Sequence, residues 1–191
     1  LLVGTSTALT TAAIILTIPE KAQAESAKFY FERALKKAED GDIYGAISDY
    51  NKAIEINPRD ADVYFNRGDA KSYSEDYSGA ISDYNKALEI NPRKADAYHN
   101  RGIAKYNLKD YYGAISDYTK AIEINPRYTE AYGNRGVAKY SLKDYFGAIS
   151  DFNKVLDINP QDANAYVGRG IAKKGRGDMR GACSDWRKAS S

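Results

Sequence analysis

The chain has 191 residues, 28 of them Lys or Arg and 26 Asp or Glu, for a net charge of +2. Both signs are interleaved, so no basic field points to nucleic acid or to an anionic membrane. One Cys and one His rule out an internal disulfide and leave no metal-ligand spacing, so cysteine usage says nothing of the compartment.

Residues 1–18 are apolar but rich in hydroxyls (Thr5, Ser6, Thr7, Thr10, Thr11, Thr17), and Pro19-Glu20-Lys21 closes the run. Ala22-Gln23-Ala24 follows as a small-x-small site, then Glu25-Ser26. That order is similar to the apolar core and cleavage site of a secretory signal peptide without its basic start. Residues 1–24 are therefore expected to direct export, to a periplasm, a thylakoid lumen or the extracellular space. The alternative is an uncleaved anchor, since 18 residues stand at the lower edge of a bilayer span. A membrane would then be met only through this segment.

Beyond it a proline recurs at Pro58, Pro92, Pro126 and Pro160, each 34 residues after the last. Such a period marks a stack of small units, none able to bury its apolar face alone. The units are residues 27–60, 61–94, 95–128, 129–162 and the shorter 163–191, within residues 25–191 as one domain. Numbered from 1 to 34, position 4 is always Tyr (Tyr30, Tyr64, Tyr98, Tyr132, Tyr166), and position 8 is Ala34, Gly68, Gly102, Gly136 and Gly170. Position 20 is Ala46, Ala80, Ala114, Ala148 and Ala182, and position 24 is Tyr50, Tyr84, Tyr118, Phe152 and Trp186. Most of the 17 Tyr fall at positions 4, 17 and 24, where packing between helices explains them better than base stacking.

Asp42, Asp76, Asp110, Asp144 and Asp178 each stand just before an apolar residue and suit the N-cap of a second helix. Asn-Pro at 57–58, 91–92, 125–126 and 159–160 ends that helix, with Asn expected in the left-handed region. Each unit is thus predicted to be two antiparallel helices. Gly68 or Gly102 is expected opposite Ala80 or Ala114, letting the backbones approach closely. Arg33, Arg67, Arg101, Arg135 and Arg169 at position 7 recur as strictly as Asp49, Asp83, Asp117, Asp151 and Asp185 at position 23. In a hairpin turning near position 15 the two lie opposite each other, which predicts a structural Arg–Asp pair in every unit rather than an anion-binding column.

Together these residues resemble the tetratricopeptide repeat, over residues 27–191 and in register in every unit; Arg at position 7, where that family usually has Leu, is the one clear departure. The resemblance implies an all-α solenoid of antiparallel helix pairs forming a right-handed superhelix. It also implies that positions 2, 5, 9, 12 and 13 face a concave groove. Carried onto this chain, that set includes Phe31, Leu35, Phe65, Asp69, Tyr73, His99, Ile103, Tyr106, Asn107, Val137, Tyr140 and Ile171. Asn66, Asn100 and Asn134 at position 6 are similar to the asparagine ladder by which some such superhelices hold peptide backbones. The clamp by which some members hold the C-terminal carboxylate of cytosolic chaperones does not fit: position 5 is never Lys and position 6 never Arg.

Enzyme chemistry finds little support. His99 is expected to be a variable surface residue and Cys183, at a position otherwise Ile, a small buried hydrophobe. No cofactor, metal or small-molecule substrate is implied. The expectation is a non-catalytic protein-interaction module that binds a peptide or protein segment, an exported adaptor or complex-assembly factor. The alternative is a self-associating scaffold docking through Tyr112, Phe146 and Tyr128. The polar second helix of the last unit reads as a cap.

Overall fold

The computed structural model describes residues 20–190; residues 1–19, which carry most of the signal-like segment, lie outside them. Ten α-helices account for the regular structure among the described residues: α1 (Glu20–Glu39), α2 (Ile43–Ile56), α3 (Ala61–Tyr73), α4 (Tyr77–Ile90), α5 (Ala95–Asn107), α6 (Tyr111–Ile124), α7 (Thr129–Ser141), α8 (Tyr145–Ile158), α9 (Ala163–Gly175) and α10 (Met179–Ala189). Each odd helix packs on the even one that follows, and each hairpin packs on the next. Successive first helices (α1, α3, α5, α7, α9) also touch one another, whereas successive second helices do not. The stack therefore curves, with the first helices inside. It is an all-α solenoid.

The turns follow from local chemistry. Asp42, Asp76, Asp110, Asp144 and Asp178 cap the second helices, each accepting the amide of a glycine three residues on at 2.9–3.0 Å. An Asp cap is worth about 1 kcal/mol. The left-handed residue lies just before this cap, at position 15: Gly41, Glu75, Lys109, Lys143 and Gly177, with φ of 84°, 64°, 64°, 63° and 92°. The asparagines before the prolines are instead extended, at φ −128°, −126°, −125° and −129°, contrary to the sequence expectation. Proline crowds the residue before it into that region. The Asn side chain still matters, since its Oδ1 accepts the amide two residues on at 3.1–3.3 Å.

Within each hairpin the alanine at position 20 is completely buried, in all five units. The glycine at position 8 lies against the aromatic ring at position 24, and at Gly136 a Cβ would also stand 3.4 Å from the Ala148 carbonyl oxygen. A Cβ on Gly68 or Gly102 would stand 2.7 Å from Cε1 of Tyr84 or Tyr118, and one on Gly136 3.2 Å from Phe152. The large ring at position 24 reaches across the seam, so the small residue is needed beneath the ring.

One polar network recurs through the frame. Asp49, Asp83, Asp117, Asp151 and Asp185 are buried, each only 1–3% exposed. The Arg at position 7 of the same unit donates Nε and Nη2 to the two carboxylate oxygens at 2.5–3.0 Å, confirming the expected pair in every unit. A second cation, not anticipated, joins it: Lys37, Lys71, Lys105, Lys139 or Lys173, with Nζ 2.8–2.9 Å from Oδ2. The remaining guanidinium nitrogen crosses to the preceding unit. Arg67, Arg101 and Arg169 donate Nη1 to Asn51, Asn85 and Asn153, and Arg135 donates to Thr119, at 2.6–3.0 Å. The hydrogen bond from Arg33 holds the Asp49 carboxyl well below the usual range. At Asp185 burial opposes ionisation, but Arg169 and Lys173 outweigh it and the carboxyl again titrates low.

Cys183 is exposed, not buried as expected, because among the described residues no helix covers the outer face of α10. The equivalent Ile47, Ile81, Ile115 and Ile149 are half-buried against a neighbouring unit.

A Cβ on Gly41 would meet no atom within 4 Å, so an Ala there suffers only the left-handed backbone cost, about 1–2 kcal/mol. Gly41→Ala should lower stability by about 1 kcal/mol in urea unfolding, while Lys109→Gly, which relieves the same strain, should lower it no further than wild type. Equal losses for both would contradict the role given to position 15.

Candidate functional site

Side chains of the first helices, with the rings at position 24 behind them, leave a row of hollows along the inner face. The first, of about 440 Å³, lies between α1 and α3, where Leu35 and Ile43 face Asn66, Asp69 and Tyr73 over the Tyr50 ring. The second, about 410 Å³, repeats the arrangement one unit on, with Asp69 and Tyr73 facing Asn100, Ile103 and Asn107 over Tyr84. The third is smaller, about 200 Å³, with Ile103, Tyr106 and Asn107 facing Asn134 and Val137 over Tyr118. The fourth, about 470 Å³, lies between α7 and α9 over Phe152 and Val155. Each hollow is the seam between two units, and repetition carries it along the chain. Neither Lys nor Arg lines any of the four, whereas Glu39, Asp69, Glu130 and Asp162 do.

The three asparagines each line a hollow, and two of them are joined by a chain of hydrogen bonds. Tyr84 donates its hydroxyl to Asp69 Oδ1 at 2.7 Å, and Asn100 Nδ2 donates to the same oxygen at 2.8 Å. Asn100 Oδ1 stands 3.1 Å from His99 Nδ1, and Asn134 Nδ2 lies 2.9 Å from His99 Nε2. A neutral imidazole protonated on Nδ1 satisfies both contacts, donating to Asn100 and accepting from Asn134. The relay Tyr84–Asp69–Asn100–His99–Asn134 thus spans three units. Asn66 differs, donating Nδ2 to the carbonyl of Asp62 in its own helix at 2.8 Å. Among the described residues no group donates to Oδ1 of Asn66 or of Asn134, while Asn100 has both ends engaged.

Burial sets the charge states here. It raises the Asp69 carboxyl above the ordinary Asp range, with the bonds from Tyr84 and Asn100 pulling the other way. It lowers His99, which is only 8% exposed and so is not the surface residue the sequence suggested. The His99 ring is stacked on Tyr128, with centroids 4.9 Å apart. Tyr128 is half-buried by that stack and donates its hydroxyl to Asp96 at 2.8 Å, so it is not the exposed docking aromatic expected.

The remaining expected site residues divide into three groups. Tyr73, Ile103, Asn107 and Val137 each line two hollows, and Tyr106 lines one with its hydroxyl 3.3 Å from that of Ser141. Tyr140 is exposed and packs on Tyr145 with the two rings tilted by 53°, without lining a hollow. Phe65 turns into the core beside Ala80 and Tyr84, beneath the Lys94 ammonium, which sits 4.6 Å from its ring centroid. Sequence reasoning missed Glu130, Gly133, Asp162 and Asn164 in the fourth hollow. Their signal was available: position 5 loses its ring at Gly133. The row of asparagines ends at Gly168 because a Cβ there would stand 2.5 Å from Phe152 Cζ.

Sequence profiles of the tetratricopeptide repeat match residues 95–128 and 129–162, and a TPR repeat profile matches residues 36–72 and 73–109. A crystal structure of MamA is 27% identical, with a TM-score of 0.82 over 86% of this chain and 90% of that one. MamA of Desulfovibrio magneticus RS-1 is 19% identical, with a TM-score of 0.83 over 88% and 95%. YrrB, a TPR protein with an unusual peptide-binding site, is 23% identical, with a TM-score of 0.75 over 90% and 91%. No curated protein matches the chain. The chain belongs to the tetratricopeptide repeat family.

The relay has a pH signature. An unfolded His takes a proton near pH 6.5, the buried His99 only at lower pH, so the unfolded chain binds the proton first and stability falls as pH drops below about 6.5. Asp96 and Glu130 face the ring and soften the effect without reversing it. Urea unfolding from pH 7.5 to 5 should show wild type losing stability relative to His99→Phe, which copies Phe65. Parallel curves for the two proteins would contradict the buried neutral imidazole.

Proposed function

Taking the chain as a tetratricopeptide repeat protein, we propose that it is a non-catalytic interaction module whose inner face holds an extended peptide or protein segment. The row of hollows, set at the same step as the units, is the observation that supports this most. An extended strand can lie along such a row, its backbone meeting side-chain amides and its side chains entering successive hollows. Asn66 and Asn134 each offer an acceptor to that backbone, while Asn100 sets the middle of the row through its bonds to Asp69 and His99. YrrB, of the same fold, has a peptide-binding site of its own. The signal-like order of residues 1–24 supports an exported adaptor or assembly factor. Among the described residues no helix is long and apolar enough to cross a membrane.

A second reading rests on a different feature. Tyr44, Tyr112 and Phe146, all at position 18, are 78%, 75% and 70% exposed, on the second helices and away from the hollows. Such exposed rings, interrupted at Ser78 in the second unit, suit contact between copies of the chain. A concentration-independent monomer in light scattering would remove this reading.

For the groove, each backbone hydrogen bond is worth about 0.5–1.5 kcal/mol net. Asn66/Asn100/Asn134→Ala should therefore weaken a captured partner about tenfold or more, with helix content unchanged by circular dichroism. Full retention of every captured partner by the triple variant would refute the asparagine row as a backbone grip.

A further inference from the structure

The fourth hollow, about 470 Å³ against about 200 Å³ for the third beside it, differs in what stands at position 5. In the second unit the space above position 5 is filled by Phe65 with Lys94 laid over it, and the Lys94 ammonium reaches Asp62 at position 2, 2.7 Å away. In the third unit the same space holds His99 under Tyr128, and the Tyr128 hydroxyl reaches Asp96, again at position 2, at 2.8 Å. Both units use one device: the residue at position 34 covers the ring at position 5 and its donor tip reaches the acid at position 2. In the fourth unit the acid remains as Glu130, but the ring is replaced by Gly133 and the covering residue by Asp162. A Cβ on Gly133 would meet nothing within 4 Å. The ring and the donor are both missing, and the hollow of about 470 Å³ stands in their place.

The walls say what would fill it. The floor is Phe152 and Val155, both buried and without a polar atom on the side chain, so it suits an alkyl stem. At the rim Glu130 accepts only from the Thr129 hydroxyl at 3.0 Å, and Asp162 accepts only the Ala165 amide at 2.8 Å. Each carboxylate keeps an oxygen to which no described residue donates, and no cation lines the hollow. We infer that the fourth hollow is the socket for a Lys or Arg side chain of the bound segment, its stem on Phe152 and Val155 and its head between Glu130 and Asp162. The inference rests on the groove reading above and adds the chemistry of one anchor to it. Lys94 over Phe65 is the template within the chain, an ammonium held between an apolar ring and a position-2 carboxylate.

The test uses the full chain and a set of extended peptides of about ten residues, built from Ala and Ser with one central Arg, Lys, Glu or norleucine, titrated by calorimetry. The Arg and Lys peptides are expected to bind about tenfold or more tightly than the Glu and norleucine peptides. Gly133→Phe, which restores the ring of the second unit and should not harm folding, is expected to bring all four to one level. Glu130→Gln with Asp162→Asn, which preserves the cap of α9, should remove the preference for cations while leaving the volume open. Equal binding of all four peptides by wild type, with no effect of Gly133→Phe, would overturn the socket and leave the groove standing. Binding of none of them would overturn both.

Discussion

A buried carboxylate at position 23 of every unit governs what the rest of the stack can be. Burying a charge is costly unless it is paired and fully hydrogen-bonded. Each of these aspartates therefore carries an Arg bound through two nitrogens and a Lys on its second oxygen. Those two cations come from positions 7 and 11 of the first helix, one turn apart, so satisfying the carboxylate fixes the register of the two helices in the hairpin. The third arm of the Arg reaches a side chain of the preceding unit, Asn51, Asn85, Thr119 or Asn153, and ties that register to the next seam. The guanidinium also lies over the Tyr at position 4, with 5.1–5.6 Å between its carbon and the ring centroid.

This network occupies the side of each hairpin that faces away from the groove residues at positions 5, 6, 9 and 13. The frame is then set by residues that do not vary, and the groove can vary without disturbing it. Within the groove the units are similar but not equivalent. Buried Asp69 and His99 are joined through Asn100 into one relay across the middle of the stack, whereas the fourth unit has lost the ring and cover that close the corresponding space. The stack is thus polar and tied at its centre and open toward its last unit.

Much of this was legible in the residues. The period located every unit, Asp before Gly-Ala gave the second-helix caps, and the Arg and Asp columns named their own pairing. What escaped had a common physical cause: it depended on side-chain geometry between units rather than on recurrence within them. Position 5 reads as a groove position, yet Phe65 turns into the core under Lys94, while His99 is buried under Tyr128 and still lines the fourth hollow. Asn before Pro reads as a left-handed stop, yet proline forces that residue to be extended and the left-handed turn falls at position 15. Cys183 reads as buried from its column, but burial there is supplied by a following unit, and no described helix follows α10. The asparagine row was visible as a column, while its unequal engagement, with Asn100 tied at both ends, required the contacts to His99 and Asp69.

The most direct measurement is the urea unfolding free energy of Asp117→Asn. The substitution keeps the shape but takes the charge from between Arg101 and Lys105, whose side chains are only 17% and 23% exposed. Removing one member of such a buried group should cost about 2–4 kcal/mol, because two half-buried cations lose their partner. A loss below about 1 kcal/mol, the range of exposed ion pairs, would mean that the apolar seams alone hold the stack and that the carboxylate network does not set the frame.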